Sequence, residues 1–344
     1  MDRMKKSQKA IFIVIINLSV HFLSAQVLFE DMEACVKSMV VNAKDSQTVK
    51  SIREVCKSKV LDKASELPDE QLDEQSKIQK RIRNEKLTES VPSVITAHKR
   101  NYMLPFTYVN EPNLSPFAAE LGDKPLDKLE AKFQMSFKAP VFSDILTKED
   151  RVYFGFSIQS YWQVYNSDLS SPFRETNYQP EIFYALPNNW QIGEWKNRAL
   201  IFGVEHQSNG QTQLFSRSWN RVYANFIFEK DRWALSLKPW YRLPEKKKEQ
   251  PNVAQGDDNP DIERFMGNFE VTAVYQWDDQ NFSMMFRNNL RSNNRGAAQL
   301  DWTFPMGKRF KGYVQYFNGY GESLIDYNHS IERFGVGILL TDFF

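Results

Sequence analysis

From about residue 101 onward the chain alternates between apolar and polar positions. In 152–165, Val152, Phe154, Phe156, Ile158, Trp162 and Val164 share one parity, and Tyr153, Ser157, Gln159 and Gln163 the other. In 174–186, Thr176, Tyr178, Pro180, Ile182 and Tyr184 oppose Glu175, Asn177, Gln179 and Glu181. Leu200, Phe202 and Val204 lead into His206 and Ser208 on the same parity, against Ala199, Ile201, Gly203 and Glu205. Ser216, Ser218, Asn220, Val222, Ala224, Phe226 and Phe228 then oppose Arg217, Trp219, Arg221, Tyr223 and Asn225. In 232–242, Trp233, Leu235, Leu237 and Tyr241 oppose Ser236, Lys238 and Arg242. In 265–277, Phe265, Phe269, Val271, Tyr275 and Trp277 oppose Asn268, Glu270, Thr272 and Gln276. A β-strand repeats every two residues, so each run predicts a strand with one apolar and one polar face. Further strands are expected at 132–142, 281–291, 297–304, 309–319 and 330–343, eleven in all. A weak twelfth within 101–120, broken by Pro105, Pro112 and Pro116, gives the even count usual for closed barrels.

The polar faces carry ionised groups: Glu175, Glu181, Glu205, Arg217, Arg221, Lys238, Glu270 and Arg333. A soluble β-sandwich shows such groups to water, whereas a membrane barrel pairs them inside a narrow lumen. Two features favour the barrel. Aromatic residues recur at strand ends on the apolar face, as in an interfacial girdle. The chain also ends on a strand, with Phe334, Val336, Ile338, Leu340 and Phe344 in even register. The expected fold is all-β: a twelve-stranded antiparallel transmembrane β-barrel over 101–344, with a helical N-terminal periplasmic extension.

The N-terminal part is different in texture. Arg3, Lys5, Lys6 and Lys9 precede an apolar run from Ile11 to Leu23, and Ser24-Ala25 supplies small residues for a cut before Gln26. Residues 1–25 therefore read as a secretory signal peptide. Its removal takes away one aspartate and four basic residues, turning the formal charge from +1 to −2. That balance argues against a nucleic-acid partner. Residues 26–100 are rich in Glu, Lys, Asp, Gln and Ser and read as an extension and linker. Helical spacing runs over Val27–Val41 and Ser46–Val60. Cys35 and Cys56 are the only cysteines, and an oxidising compartment favours a disulfide between these two helices. Residues 68–88 form a charged segment, helical or solvated.

The chemistry concentrates in two short stretches, His206-Gln207-Ser208-Asn209-Gly210 and Ser216-Arg217-Ser218-Trp219-Asn220. A serine hydroxyl needs a base to become a nucleophile, and the base needs a third group to fix its tautomer. His206 lies two residues from Ser208 on the same face, and Asn220 is expected on the next strand, within reach of the other imidazole nitrogen. Gly210 allows backbone to approach a developing oxyanion. In a barrel these polar groups lie on the lipid-facing side, where they are costly unless used.

These stretches resemble the outer-membrane phospholipase A family. So do Ser170-Ser171-Pro172-Phe173-Arg174-Glu175-Thr176-Asn177-Tyr178, Lys238-Pro239-Trp240-Tyr241, Asp257-Asp258-Asn259-Pro260-Asp261 and Gly319-Tyr320-Gly321-Glu322-Ser323-Leu324-Ile325-Asp326-Tyr327-Asn328. The resemblance runs in order from about residue 130 to the C-terminus and leaves out the N-terminal extension. It implies an integral outer-membrane barrel that hydrolyses acyl esters of phospholipids at sn-1 and sn-2, and of lysophospholipids. It implies Ser208 as nucleophile, His206 as general base and acid, Asn220 as the group orienting His206, and the Gly210 amide in the oxyanion hole. It further implies Ca2+ at the interface of a reversible homodimer. The ligands would be the Ser216 side chain and Gln211 carbonyl of one subunit and the Ser170 carbonyl of the other.

The chain departs from the family pattern in three places. Gln213 stands where relatives carry an Asp that serves a second, weaker calcium site, of which Asp258 remains. Ile158 stands where the family has a Gln at the dimer seam, and Gln211 replaces a basic residue. Two alternatives stay open: a non-catalytic outer-membrane barrel that transports or scaffolds, and a soluble periplasmic esterase on a β-sandwich. Glu205 and Arg221 are expected to be structural, and His21, His98 and His329 to have no chemical role.

Overall fold

The computed structural model describes residues 35–37, 39, 52, 55, 56, 78–82, 85, 96–117, 124–147, 149–250, 253, 256–307 and 310–342. The chain divides into two compact units, Met1–Ser76 and Lys77–Phe344. The described residues of the first unit are helical, and Cys35 and Cys56 are joined by a disulfide with Cα atoms 5.8 Å apart. The expected signal peptide and most of the two expected helices lie outside the described residues, as does Phe344.

In the second unit, twelve antiparallel strands among the described residues close on themselves. They are β1 Asn101–Val109, β2 Leu129–Ser143, β3 Arg151–Trp162, β4 Phe173–Pro187, β5 Trp195–Ser208 and β6 Ser218–Lys230. The second half is β7 Trp233–Leu243, β8 Phe269–Trp277, β9 Gln280–Asn288, β10 Gly296–Met306, β11 Phe310–Tyr320 and β12 Ser330–Thr341. Each pairs with the next, and β12 returns to β1 with Phe334 opposite Tyr108 and Leu339 opposite Tyr102. Short pieces at Thr96–Ala97 and Gln191–Ile192 extend the same sheet. In hydrocarbon no water is available to satisfy an open edge, so only closure leaves every backbone N–H and C=O paired.

The sides of the strands are inverted relative to a soluble protein. On β5, Phe202 and Val204 are 48% and 53% exposed, while Glu205 between Val204 and His206 is 1% exposed. The lumen is filled rather than open. Arg174 pairs with Glu130 and Asp326, Arg333 with Glu130 and Glu322, and Lys132 with Glu322. Burial pushes the Glu322 carboxyl up, but Arg333 and Lys132 beside it outweigh this and hold it below the usual carboxylate range. Around the barrel, Glu205 takes Arg221 and Lys238, and Arg100 bridges Asp301 and Asp342. Aromatics gather toward the ends of the barrel: exposed Trp233 lies against half-buried Tyr275 at 4.7 Å between ring centroids, and exposed Phe106 against Tyr165 of the β3–β4 connection at 5.9 Å.

The two ends of the barrel differ. One end has tight turns, with Asp231 and Asp278 at φ 50° and 52° between β6 and β7 and between β8 and β9. The other carries the long connections 110–128, 209–217, 244–268 and 321–329. Short periplasmic turns and longer outer loops are the ordinary polarity of such barrels. The strands begin and end up to four residues from expectation: β2 starts at Leu129, β6 at Ser218, and β9 ends at Asn288. β8 begins at Phe269, not 265; Phe265 lies in a one-turn helix, α1, Glu263–Met266. There it is buried against Tyr320 and Tyr327, because its apolar side chain packs into the loop end of the lumen rather than toward lipid.

His98, for which the sequence showed no partner, has a structural one. Its Nε2 lies 2.8 Å from Glu181 and its ring stacks on Phe183 at 4.9 Å. Just ahead of β1, it therefore joins the lumen network; burial lowers its pKa, against the pull of Glu181.

The turn between β2 and β3 is tied by Asp150. Its carboxylate accepts from the N–H groups of Ile145, Leu146 and Thr147 at 2.7, 2.7 and 2.8 Å, and from the Tyr184 hydroxyl. Burial pushes this carboxyl up, but Tyr184 and the three N–H groups outweigh it and bring its pKa to about 2. A depressed carboxylate adds stability above its unfolded pKa of about 3.9, and that stability fades as pH falls toward the folded value. Asp150→Asn is expected to lower the urea midpoint at pH 7 and to flatten its fall between about pH 4 and pH 2. Parallel acid profiles for the two proteins would refute this.

Candidate active site

Uninterrupted pairing of β5 with β6 from Ala199 to Ser208 fixes the parity of the site. His206 stands opposite Asn220, and Ser208 opposite Ser218. Directly opposed side chains start about 5 Å apart at Cβ, so the two can bond without backbone distortion. His206 Nδ1 and Asn220 Oδ1 are 2.9 Å apart. A neutral imidazole donating from Nδ1 keeps Nε2 as its acceptor, the form a general base needs. Ser208 continues the same outer face two residues further on, and Tyr178 of β4 is opposite it in register. Among the described residues the Ser208 hydroxyl has no hydrogen-bond partner; catalytic contacts commonly tighten only with substrate.

The connection 209–217 is braced from within by a residue the sequence reasoning passed over. Asn209 is buried, and its Oδ1 accepts from the N–H groups of Gln211 and Arg217 at 3.3 and 3.0 Å. Its Nδ2 donates to the Phe215 carbonyl at 2.8 Å and to Glu175 in the lumen at 3.2 Å. An Asn directly before a Gly, at the end of a strand, was the available signal. Gly210 follows with φ 64°, and a Cβ there would lie 3.1 Å from the Tyr178 ring. Among the described residues nothing accepts from the Gly210 N–H.

The expected calcium ligands are placed in two groups. Ser216 Oγ donates to Asp258 Oδ2 at 2.7 Å, and Gln211 is exposed on the same connection. Ser170 lies on the separate β3–β4 turn, exposed and left-handed at φ 58°, and no hydrogen bond joins it to Gln211 or Ser216. A hydroxyl and two carbonyls are the hard oxygen donors that calcium takes, so the set fits on chemistry. Asp258 also pairs with the Lys248 ammonium. Its negative charge is thus met by a cation carried on the chain itself.

A closed antiparallel barrel with an exposed apolar face and a charged, buried interior is an integral outer-membrane β-barrel, and His206, Ser208 and Asn220 share its outer face. The sequence pattern of the family described as Phospholipase A1 matches residues 78–340. Phospholipase A1 of Klebsiella pneumoniae is 35% identical over 253 residues, covering 74% of this chain and 84% of that protein. Phospholipase A1 of Escherichia coli (strain K12) is also 35% identical, covering 74% of this chain and 83% of that protein. The outer membrane phospholipase A structure from Escherichia coli superposes with a TM-score of 0.68 at 34% identity, over 74% of this chain and 95% of that one. A further structure is of an Asn-to-Ala active-site mutant of the Escherichia coli protein. The Salmonella typhi enzyme, described as a dimer with bound calcium, superposes at 0.69 with 32% identity, over 78% of this chain and 98% of that one. The chain belongs to the Phospholipase A1 family, and its activity is phospholipid hydrolysis in the outer membrane.

Gly210→Ala is expected to cut turnover about tenfold or more while assembly stays intact, since a Cβ in the left-handed region costs about 1–2 kcal/mol. The checks are fatty-acid release and gel mobility without heating. Wild-type turnover would show that this backbone conformation is not needed.

Proposed function

We propose that this chain cleaves acyl esters of phospholipids, at sn-1 and sn-2 and in lysophospholipids, through Ser208, His206 and Asn220. The carrying observation is the 2.9 Å bond between His206 and Asn220 on the lipid-facing side of adjacent strands, in line with Ser208. Ser208 Oγ attacks the acyl carbonyl carbon while His206 Nε2 takes its proton. Asn220 holds the imidazole through Nδ1, and the Gly210 N–H donates to the oxyanion. His206 then gives the proton to the departing glycerol oxygen, leaving an acyl-serine. Water, deprotonated by His206, repeats the sequence and releases the fatty acid.

The Ser216 hydroxyl and the Gln211 carbonyl, with the Ser170 carbonyl of a second copy, would hold Ca2+. When bound, calcium supplies positive charge against the developing oxyanion. The calcium-bound dimer of the Salmonella typhi relative supports this reading, as does the active-site asparagine of the Escherichia coli one. A site divided between copies makes dimerisation the switch for activity. Residues 1–25 act as signal peptide, 26–100 as periplasmic extension and linker, and 101–344 as the phospholipase domain. The reading as a barrel that only transports or scaffolds is weakened by the ion-paired side chains that fill the lumen.

Ser208→Ala is expected to abolish fatty-acid release from phospholipid micelles with barrel mobility unchanged. Chelation of calcium should stop wild-type turnover without unfolding. Residual full activity in the mutant would sink the triad, and calcium-independent turnover would remove the role given to Ser216.

A further inference from the structure

Asn220 has a second partner. Its Nδ2 donates to Glu245 Oε1 at 2.9 Å. Asn220 is paired in register with Leu243, the last residue of β7, and Glu245 follows two residues later with the same parity. The carboxylate therefore reaches Asn220 from the side away from β5.

The backbone that carries Glu245 is pinned. Asp257 N donates to the Lys246 carbonyl at 2.7 Å, and Lys247 bridges Asp257. Arg242, before Glu245, holds Asp257 at 2.6 Å, and Lys248, after it, holds Asp258. Gly256 sits so close that an added Cβ would lie 2.9 Å from the Lys246 carbonyl. Glu245 itself is half-buried, and among the described residues no cation pairs with it. Its charge is directed at Asn220.

We infer that Glu245 is a positioning residue that gives the Ser-His-Asn constellation the negative charge its own members lack. Two effects follow from one hydrogen bond. An amide can offer His206 either its oxygen or its nitrogen, and only the oxygen accepts from an Nδ1–H. Glu245 accepts only, so it takes the Nδ2 end and leaves Oδ1 facing His206. A carboxylate behind the amide also polarises it, strengthening Oδ1 as acceptor when the imidazole becomes cationic. The inference rests on the proposed triad, and its tests separate the two.

The full-length protein, refolded in detergent with calcium, is assayed for kcat and KM, with unheated gel mobility as the folding control. Glu245→Gln keeps an acceptor and loses the charge, so kcat should fall about fivefold with KM within about twofold. Glu245→Ala should fall about tenfold or more. In an Asn220→Ala background, Glu245→Ala should cost nothing further, because the carboxylate acts through Asn220. In an Asn220→Asp background the sign should reverse. Two carboxylates would then face each other, and adding Glu245→Gln should raise activity. Wild-type kcat in both Glu245 variants would overturn the assignment alone, as would a full further loss in the Asn220→Ala background. Full activity in Ser208→Ala and Asn220→Ala would remove the triad and this assignment together.

Discussion

The pairing of β12 with β1 is the constraint on which the rest depends. Without it, Ser330–Thr341 and Asn101–Val109 would present open edges to hydrocarbon, where each unsatisfied backbone group costs several kcal/mol. Closure turns the ordinary sides of a sheet inside out. Phe202 and Val204 face lipid because the lumen must take Glu205, Arg221 and Lys238. Once the register of β5 on β6 is fixed by that division, His206, Ser208 and Asn220 have no freedom to face elsewhere. A one-residue slip would carry all three into the lumen and its charges out to lipid.

The lumen and the site share support. Asn209 braces the site connection and also reaches Glu175 inside the barrel. Glu175 in turn accepts from the Ile325 N–H in the 321–329 connection, beside Asp326, which Arg174 holds. Breaking a buried pair of this kind typically costs about 3–5 kcal/mol, because the remaining partner keeps a buried, unmatched charge. The ion pairs therefore contribute less as net stability than as a rigid floor under the outer loops. A site at the outer ends of β5 and β6, with the 209–217 connection beside it, is steadied by such a floor, and in general a misplacement by about 1 Å can cost a hundredfold in rate.

Most of the strands were legible because period-two alternation survives in a barrel, with its faces exchanged. His206, Ser208 and Asn220 were legible for the same reason: parity placed them together before any distance was known. Phe265 misled because alternation alone does not separate a strand start from an apolar residue of a loop helix. His98 and Glu245 were not legible, since their partners lie 83 and 25 residues away in the chain; for Asn209 the Asn-Gly pair marked the turn, but not its reach to Glu175, 34 residues away. Such contacts depend on register across several strands, which no local pattern encodes. The pairing of Lys248 with Asp258 is of the same kind.

The choice of Asn rather than Asp at position 220 follows from where the barrel puts the site. A carboxylate on the lipid-facing side of β6 would be charged at the edge of hydrocarbon, where desolvation opposes ionisation. An amide avoids that cost but orients His206 with a neutral oxygen. Glu245 lies one hydrogen bond further out, on the connection beyond the end of β7, where its charge costs less to keep. Charge and contact are thus divided between two side chains, Asn220 touching the imidazole and Glu245 setting the amide. The division works only if the connection is held in place, which is the task of the Arg242–Asp257 and Lys248–Asp258 pairs on either side of it.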